Sequence, residues 1–399
     1  MSFKSSLEIA IKKVKTKIQF HSLHRDKKLW LFGEWFGNNC CDNSMYLANY
    51  ICEFFPEISV VWATKKDTEL SHLHPKAKVV YFETDDALKI YKKAGVVFFN
   101  QNYKDFSLLG QNYFSGALTV SLWHGAQWKK IGYDASKKRG LLHELRIILD
   151  KINDDADIYL ALSKPYAKCL MSAYRVKEDR FIYSGYPRNR ILYSIKEIKR
   201  CKAKLIKLLT EEGYKFANNP YIVLYMPTFR DSVDKVFDIS TLGKDETFVL
   251  WMKNKNVVII NKSHLAMNSN CRNTRSIGRI FSFNSMIAQE LLAASDMLVT
   301  DYSSCFFDYL ILDRPIIHFL YDYDFYRNRD RGLYYAYDQV VCGDISWNID
   351  DLKKLIVLNH DNEQRNHDLR RKRLKEYMTY ETADSCEIIT NKIIYLSTK

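Results

Sequence analysis

The sequence predicts an α/β protein made of two doubly wound domains, each a parallel sheet flanked by helices. Three observations carry that prediction. Short runs rich in β-branched and aromatic residues recur along the chain, with helix-like polar stretches between several of them. The pattern starts afresh in the second half, so two sheets are expected rather than one. With 399 residues, 47% of them hydrophobic, the chain can bury a core in each of two domains.

The elements follow in order. The opening stretch MSFKSSLEIAIKKVKTKIQF places Phe3, Leu7, Ile11, Val14 and Ile18 at helical spacing, with Lys4, Lys12, Lys13, Lys15 and Lys17 mostly on the other flank. Such a basic amphipathic helix either lies in the interface of an anionic membrane or packs on its own domain, and periodicity does not separate the two. Strands are expected in LWLFG (29–33), SVVWAT (59–64), KVVYFE (78–83), GVVFFN (95–100) and LTVSLWH (118–124). They resume in DIYLALS, RFIYSGYP, PYIVLYMPT, NVVIINKSH, DMLVTDYSS and PIIHFLY. The lysine-rich helical stretch YSIKEIKRCKAKLIKLLTEEGYKF, with Gly213 near its end, lies between GYPRNRIL and PYIVLYMPT. The domain boundary is placed just before it, giving an N-terminal domain of residues 1–190 and a C-terminal domain of 191–399. The last segment, LRRKRLKEYMTYETADSCEIITNKIIYL, reads as helical and is a candidate strap between the domains.

Lysine and arginine number 60 against 47 acids, a formal charge of +13 that suits anionic substrates, lipid headgroups or nucleic acid. The basic residues are scattered rather than gathered into one stripe, which ranks a nucleic-acid binder last. Nine cysteines without CxxC spacing read as reduced, intracellular thiols. Neither a secretory leader nor a run of ~18 apolar residues is present, so a cytosolic protein is expected.

Polar residues just after parallel strands stand at the sheet's carboxyl edge, where open α/β sheets bind ligands. In SLWHGAQWKKIGYD, His124 follows an apolar run and precedes Gly125, which lets the backbone turn and present the imidazole at that edge. An imidazole there can take a proton from an attacking hydroxyl at neutral pH. A structural histidine bonded to a backbone carbonyl is the ordinary alternative; Gly125, Lys129 and Lys130 alongside favour the catalytic reading. In YIVLYMPTFRDS the strand ends at Pro227 and offers Thr228, Arg230 and Asp231. Arginine is a bidentate partner for phosphate, and Asp231 can orient it or a nearby histidine; a surface salt bridge is the plainer use. Lys262 and His264 in VVIINKSHLAMN read as a cationic pair for phosphate, against a solvated loop.

DMLVT is a strand, and DYSSCFFDYLIL starts a helix at Ser303 or Ser304, with Asp301 or a serine as N-cap. Unpaired N–H groups and a partial positive charge at a helix start receive phosphate, and hydroxyls add donors. Capping calls for one small polar residue, not for Thr300, Asp301, Ser303 and Ser304 together. YDYDFYRNRDRGLYYAY interleaves Arg327, Arg329 and Arg331 with aromatics, either a grip on a phosphorylated polymer or an ordinary loop.

Taken together these segments resemble the CDP-glycerol glycerophosphotransferase family, the polymerases and primases of teichoic acid and of related bacterial capsules. SLWHGAQWKKIGYD is similar to that family's tryptophan-histidine-glycine segment with its following lysines and aspartate. YSGYPRNRIL is similar to its glycine-tyrosine-proline-arginine-asparagine turn, and LYMPTFRDS to its proline-threonine-aromatic-arginine-aspartate strand end. ELLAASDMLVTDYSSCFFDYLILDRPIIHFLYDYDFY is similar to its longest signature, and GEWFGNNCCDNS to its opening strand and asparagine turn. Three places depart from the pattern. NKSHLA stands where the family has arginine-x-histidine-proline, QVVCGDISW lacks a proline-glycine-proline, and Arg190 replaces the aspartate common after GYPRN.

The resemblance implies a GT-B type fold: two Rossmann-like doubly wound domains facing a central cleft, the first on the acceptor side and the second binding a CDP-polyol donor. It implies transfer of glycerol phosphate from CDP-glycerol to a hydroxyl of a membrane-linked teichoic acid or capsule acceptor, with release of CMP. CDP-ribitol is the alternative donor, and a nucleotide-sugar-dependent GT-B glycosyltransferase the more distant alternative. Carried over residue by residue, His124 matches the general base, Arg230 and Asp231 the donor pocket, His264 the histidine near the donor phosphates, and Ser303 and Ser304 the serines at the phosphate-binding helix start. The expected catalytic residues are thus His124, Arg230 and Asp231, with His264, Thr300, Asp301, Ser303 and Ser304 on the donor phosphates. Lys129, Lys130, Arg327 and Arg331 are candidate acceptor contacts. No cofactor is required and no metal is expected, although Asp231 and Asp301 leave a divalent cation open. The expected partners are the CDP-polyol, a lipid-linked anionic polymer or linkage-unit acceptor and an anionic membrane surface, not nucleic acid. The expected location is the cytoplasm, peripherally attached to the inner face of the bacterial membrane.

Overall fold

The structure is a computed structural model describing residues 3–135, 156–216, 218–228, 237–262, 276–282, 285–324 and 332–398, with side chains from Ile11 onward. The chain divides into two compact units. One comprises Met1–Gly125, Lys130–Arg190 and Tyr380–Lys399, the other Ala126–Lys129 and Ile191–Thr379.

The first unit carries a parallel sheet of β1 (Asp26–Phe32), β2 (Ser59–Thr64), β3 (Lys78–Tyr81), β4 (Ala94–Phe99), β5 (Leu118–Ser121), β6 (Ile158–Ala161) and β7 (Phe181–Tyr183). Runs such as Val60 to Ala63 and Val96 to Phe99 are buried throughout, which suits strands covered on both faces. The rings of Phe32 and Phe98 stack at 4.5 Å in the middle of the sheet. The strand order is β3-β2-β1-β4-β5-β6-β7. The order reverses between β1 and β4, which makes the carboxyl ends of those neighbours the topological switch point. Helix α1 (Phe3–Gln19) precedes the sheet, α2 (Asn43–Phe54) follows β1 and α3 (Asp85–Lys93) follows β3. The start of α3 is fixed by Thr84, whose hydroxyl accepts from Ala87 N at 3.2 Å.

The second unit has β8 (Tyr221–Tyr225), β9 (Val257–Asn261), β10 (Ser276–Ile277), β11 (Ile280–Ser282), β12 (Met297–Thr300), β13 (Ile316–Phe319) and β14 (Asp344–Ser346) in the order β10-β11-β9-β8-β12-β13-β14. All pairings are parallel except β10 with β11. Its switch point falls between β8 and β12. Val223, Val257, Ile259, Val299 and Ile317 form one face of the core. Phe248 and Met252 from the helix Glu246–Asn254, with Leu352 and Ile356 from Ile349–Asp361, cover it.

Every apolar run named from the sequence contains a strand. Among the described residues, the strands not foreseen, β10, β11 and β14, are two or three residues long. Two chain segments also group differently from the expected 1–190 and 191–399 division. Residues 380–399, assigned by contiguity to the C-terminal domain, belong to the first unit. Tyr380 N donates to Leu162 O at 2.9 Å, and Glu381 Oε2 accepts from Tyr186 N and Asn189 Nδ2 at 3.1 and 3.0 Å. Ala126–Lys129 belongs to the second unit, where Trp128 O accepts from Tyr334 N at 2.9 Å and its indole meets Phe306 and Tyr337 edge-on. The last segment is helical, in two helices, His367–Tyr377 and Ser385–Thr398.

Among the described residues, no helix is long and apolar enough to cross a membrane. On α1, Thr16 faces the protein, whereas Ile11 and Ile18 are 48% and 72% exposed and Leu23 beyond the helix is 82% exposed. Arg25 ties this region down by donating to the carbonyls of Phe20, Tyr91, Ala94, Tyr113 and Ser115.

Candidate active site

His124 stands just past β5, beside the switch point of the first sheet, and the chain is bent to put it there. Positive φ flanks it on both sides, at Gly125 (155°) and, unusually for a bulky residue, in the left-handed region at Trp123 (60°). That conformation costs a bulky residue about 1–3 kcal/mol, so it persists only where the surroundings impose it. Here Asn43, the first residue of α2, donates from Nδ2 to Trp123 O at 2.9 Å and to Leu122 O at 3.4 Å. Arg188 Nη1 donates to His124 O at 2.9 Å.

The imidazole itself lies between two indoles, stacked on Trp123 at 5.0 Å and edge-on to Trp35 at 5.9 Å. Its Nδ1 is 3.3 Å from Asn100 O. A carbonyl can only accept, so this contact puts the ring proton on Nδ1 and makes Nε2 the basic nitrogen. The structural bond and the catalytic role, set against each other at the sequence level, are therefore compatible.

Asn100 is held in turn by a buried acid network. Asp105 accepts from Asn100 N, Gln101 N and Phe36 N at 3.0, 2.8 and 2.7 Å. Burial pushes its carboxyl up to about 7, against the opposing pull of those three N–H groups. Ser44 Oγ lies 2.7 Å from Asn100 Oδ1. Glu34, just beyond β1, accepts from Asp42 N and Met45 N at 3.0 and 3.3 Å and from Cys41 N. Burial, and then the neighbouring Asp42 carboxylate, push the Glu34 carboxyl well above the usual range. Asp42 caps α2 and forms a buried ion pair with Arg188 at 2.9 Å. Gly33 makes this crowding feasible: a Cβ there would sit 2.4 Å from Asp105 O.

In the second unit Thr300, Asp301, Ser303 and Ser304 stand at the β8/β12 switch point, but their roles divide. Thr300 and Asp301 were expected on the donor phosphates; both are fully buried and engaged with protein. Thr300 Oγ1 donates to Met226 O at 2.7 Å, and Asp301 Oδ1 accepts from Thr228 N and Tyr302 N at 2.7 and 2.6 Å. They clasp the ends of β8 and β12 together and are positioning groups, because short polar side chains turned toward a neighbouring strand end find backbone partners before they reach solvent.

Ser303 and Ser304 remain half-buried at the edge. The helix that follows is only Cys305–Tyr309, and Ser304 makes no side-chain capping bond. So short a helix offers little dipole.

Behind this edge a buried relay holds Asp301 from its other side. His318 Nε2 accepts from Cys342 N at 3.2 Å, so its proton is on Nδ1, which donates to Tyr337 OH at 2.8 Å; Tyr337 OH donates to Asp301 O at 3.0 Å. Burial lowers the His318 pKa to about 4, which keeps the ring neutral and this pattern intact.

Lys262, read beside His264 as a phosphate ligand, is instead buried with its ammonium donating to Met286 O at 3.0 Å. Lys129 pairs through its backbone with Leu333, and Lys130 is half-buried. Arg230, Asp231, His264, Arg327 and Arg331 lie outside the described residues. Among the described residues, no group of three or more His, Cys, Asp and Glu side chains is placed to hold a metal ion.

Sequence reasoning did not single out Glu34, Trp35, Asp42, Asn43, Asn100, Asp105 or Arg188 for chemistry, although GEWFGNNCCDNS and GYPRN carried part of the resemblance. Acids and amides in loop-like segments read as solvated, and only the fold shows them buried. The Arg190 departure has a local use as well: its guanidinium lies over the rings of Tyr50 and Phe54 at 5.1 and 5.8 Å.

Two sheets whose strand order reverses, with polar residues at the carboxyl ends of their strands, define a doubly wound α/β protein. The family described as CDP-Glycerol:Poly(glycerophosphate) glycerophosphotransferase matches residues 15–395, and the chain belongs to it. It is thereby an enzyme of the glycerophosphotransferase class. The chain is 27% identical over 352 residues to a teichoic acid glycerol-phosphate transferase of Staphylococcus aureus, covering 83% of this chain and 84% of the relative. It is 29% identical over 245 residues to a teichoic acid poly(glycerol phosphate) polymerase of Bacillus spizizenii, covering 56% of this chain and 57% of that one. The relatives include ribitol-phosphate as well as glycerol-phosphate enzymes. Among solved structures, the wall teichoic acid polymerase TagF shares the fold over 100% of this chain and 99% of its own, with a TM-score of 0.77 and 20% identity.

Proposed function

We propose that this chain transfers glycerol phosphate from CDP-glycerol to a hydroxyl of a membrane-linked teichoic acid or capsule acceptor and releases CMP. The observation that carries the reading is His124, seated past β5 beside a sheet switch point with Nδ1 turned to a carbonyl, which leaves Nε2 as the base. The acceptor hydroxyl gives its proton to Nε2 as its oxygen attacks the phosphorus bearing the glycerol. The bond from that phosphorus to CMP breaks in line, and CMP departs with the electron pair. Arg230, His264, Ser303 and Ser304 balance the charge that grows on the phosphate oxygens, and Asp231 orients Arg230. No resident metal or cofactor takes part in this scheme, so turnover should survive exhaustive chelation.

A CDP-linked donor is supported by TagF, a variant of which was soaked with CDPG. The ribitol-phosphate relatives keep CDP-ribitol as a second donor reading. Attachment to the inner membrane face is supported by the lysines of α1 beside the exposed Ile11, Ile18 and Leu23.

Calorimetric titration with CDP-glycerol, CDP-ribitol and a UDP-sugar in parallel tests the donor. Preference for CDP-glycerol supports the proposal, preference for CDP-ribitol changes the polyol, and preference for the UDP-sugar replaces the reaction with glycosyl transfer. His124→Ala should abolish turnover while donor affinity stays within a few-fold; loss of donor binding would move His124 out of the base role.

A further inference from the structure

Asp42 is a hub that the reaction scheme does not use. It is buried, and both of its oxygens have partners. Oδ1 accepts from Asn43 N at 2.8 Å and from Arg188 Nη1 at 2.9 Å, and Oδ2 accepts from Trp35 Nε1 at 3.0 Å.

Both side-chain partners lead to the same place. Arg188 Nη1 also donates to His124 O at 2.9 Å, and the Trp35 indole stands edge-on to the His124 ring at 5.9 Å. Trp35 reaches that position through three successive left-handed residues, Trp35, Phe36 and Gly37, with φ of 46°, 57° and 69°. A run of left-handed residues at two aromatics is unfavourable by itself. It is fastened at Phe36 N by Asp105 and at the Trp35 indole by Asp42. Ordinary packing of an indole needs neither the strained turn nor an ion-paired acceptor. Both are accounted for if the indole must stand at one particular angle to the imidazole.

We propose that Asp42 and Trp35 are positioning residues for His124: the carboxylate, acting through the indole N–H and the Arg188 guanidinium, fixes the imidazole so that Nε2 faces the acceptor hydroxyl. The inference rests on the reading of His124 as the base and extends it by naming what aims it.

The test uses Trp35→Phe, which keeps an aromatic ring and deletes the N–H, and Asp42→Asn, which keeps an oxygen and deletes the charge. In the full chain, kcat should fall about 10- to 100-fold, the cost of a small misplacement of a reacting group, while KM for CDP-glycerol stays within about twofold. In protein labelled with ¹⁵N-histidine, the ring resonances of His124 should shift in both variants without substrate present. Should Asp42→Asn fail to fold, Trp35→Phe carries the test alone. Unchanged kcat with unchanged His124 resonances overturns the proposal. A raised donor KM at unchanged kcat overturns it as well and assigns the hub to donor binding. The base reading fails separately: turnover retained by His124→Ala removes it, while the ring resonances still report whether Asp42 and Trp35 orient the imidazole.

Discussion

Replacing Asp301 with alanine removes the acceptor that two backbone N–H groups share, those of Thr228 at 2.7 Å and Tyr302 at 2.6 Å. Asp301 and Tyr302 are both fully buried, so water cannot take over the second of these bonds without local opening. A buried donor left without a partner costs about 1–3 kcal/mol. The bond to Thr228 is only part-buried, which places the combined loss toward the lower half of the doubled range, at about 3 kcal/mol. Read as local opening, that is an increase on the order of 100-fold. Hydrogen–deuterium exchange at the Thr228 and Tyr302 amides measures it in the folded protein, without requiring two units to unfold in a single step. Asp301→Asn keeps an oxygen where Oδ1 stands and should exchange within about tenfold of the wild type. Unchanged exchange in the alanine variant, or equal acceleration in both variants, would refute the argument that this carboxylate clasps β8 to β12.

Other consequences follow from the same geometry. Gly33→Ala puts a Cβ 2.4 Å from Asp105 O and 2.7 Å from the Phe106 ring; because the first of these is backbone, the overpacking should cost about 1–3 kcal/mol and lower the melting temperature. The Asp105 carboxyl holds its proton up to about 7 when folded, whereas the unfolded chain releases it near pH 4. Stability from this group therefore falls as pH rises through that window, and the melting temperature of the wild type relative to Asp105→Asn should decline between about pH 4 and 7. A gap that stays constant across the window would show that Asp105 is not buried as a neutral acid. Deleting the first ~20 residues should weaken cosedimentation with anionic vesicles, since it removes the basic amphipathic helix and the exposed Ile18. Equal pelleting of the truncated and full chains would mean that α1 serves the protein rather than a membrane.

The strands were legible because burial on both faces demands long β-branched runs, and SVVWAT and GVVFFN have no other economical fate. The edge positions of His124 and of Thr300 to Ser304 followed from the same logic, since polar residues directly after such runs emerge at the carboxyl end of a parallel sheet. Direction was harder to read than place. Thr300 and Asp301 looked identical in kind to Ser303 and Ser304, yet the first two turn toward the end of β8 and the latter two do not. That difference depends on which strand lies alongside, a fact carried some 70 residues away. Lys262 shows the same limit: a lysine after a strand reads as solvated or ligand-binding until a distant carbonyl, that of Met286, is brought over its ammonium.

The sequence by itself determined the class of fold, the places where chemistry can sit and, through its motifs, the family, because each of these is written in short-range pattern. Only the tertiary structure decided that Tyr380–Lys399 joins the first unit and that Glu34, Asp42, Asp105 and Arg188 lie buried around His124, with Thr300 and Asp301 held in the scaffold. The physical reason is common to all of them. A polar side chain takes its role from whichever donor or acceptor is within about 3 Å, and those partners are supplied by chain folding, not by neighbours in sequence.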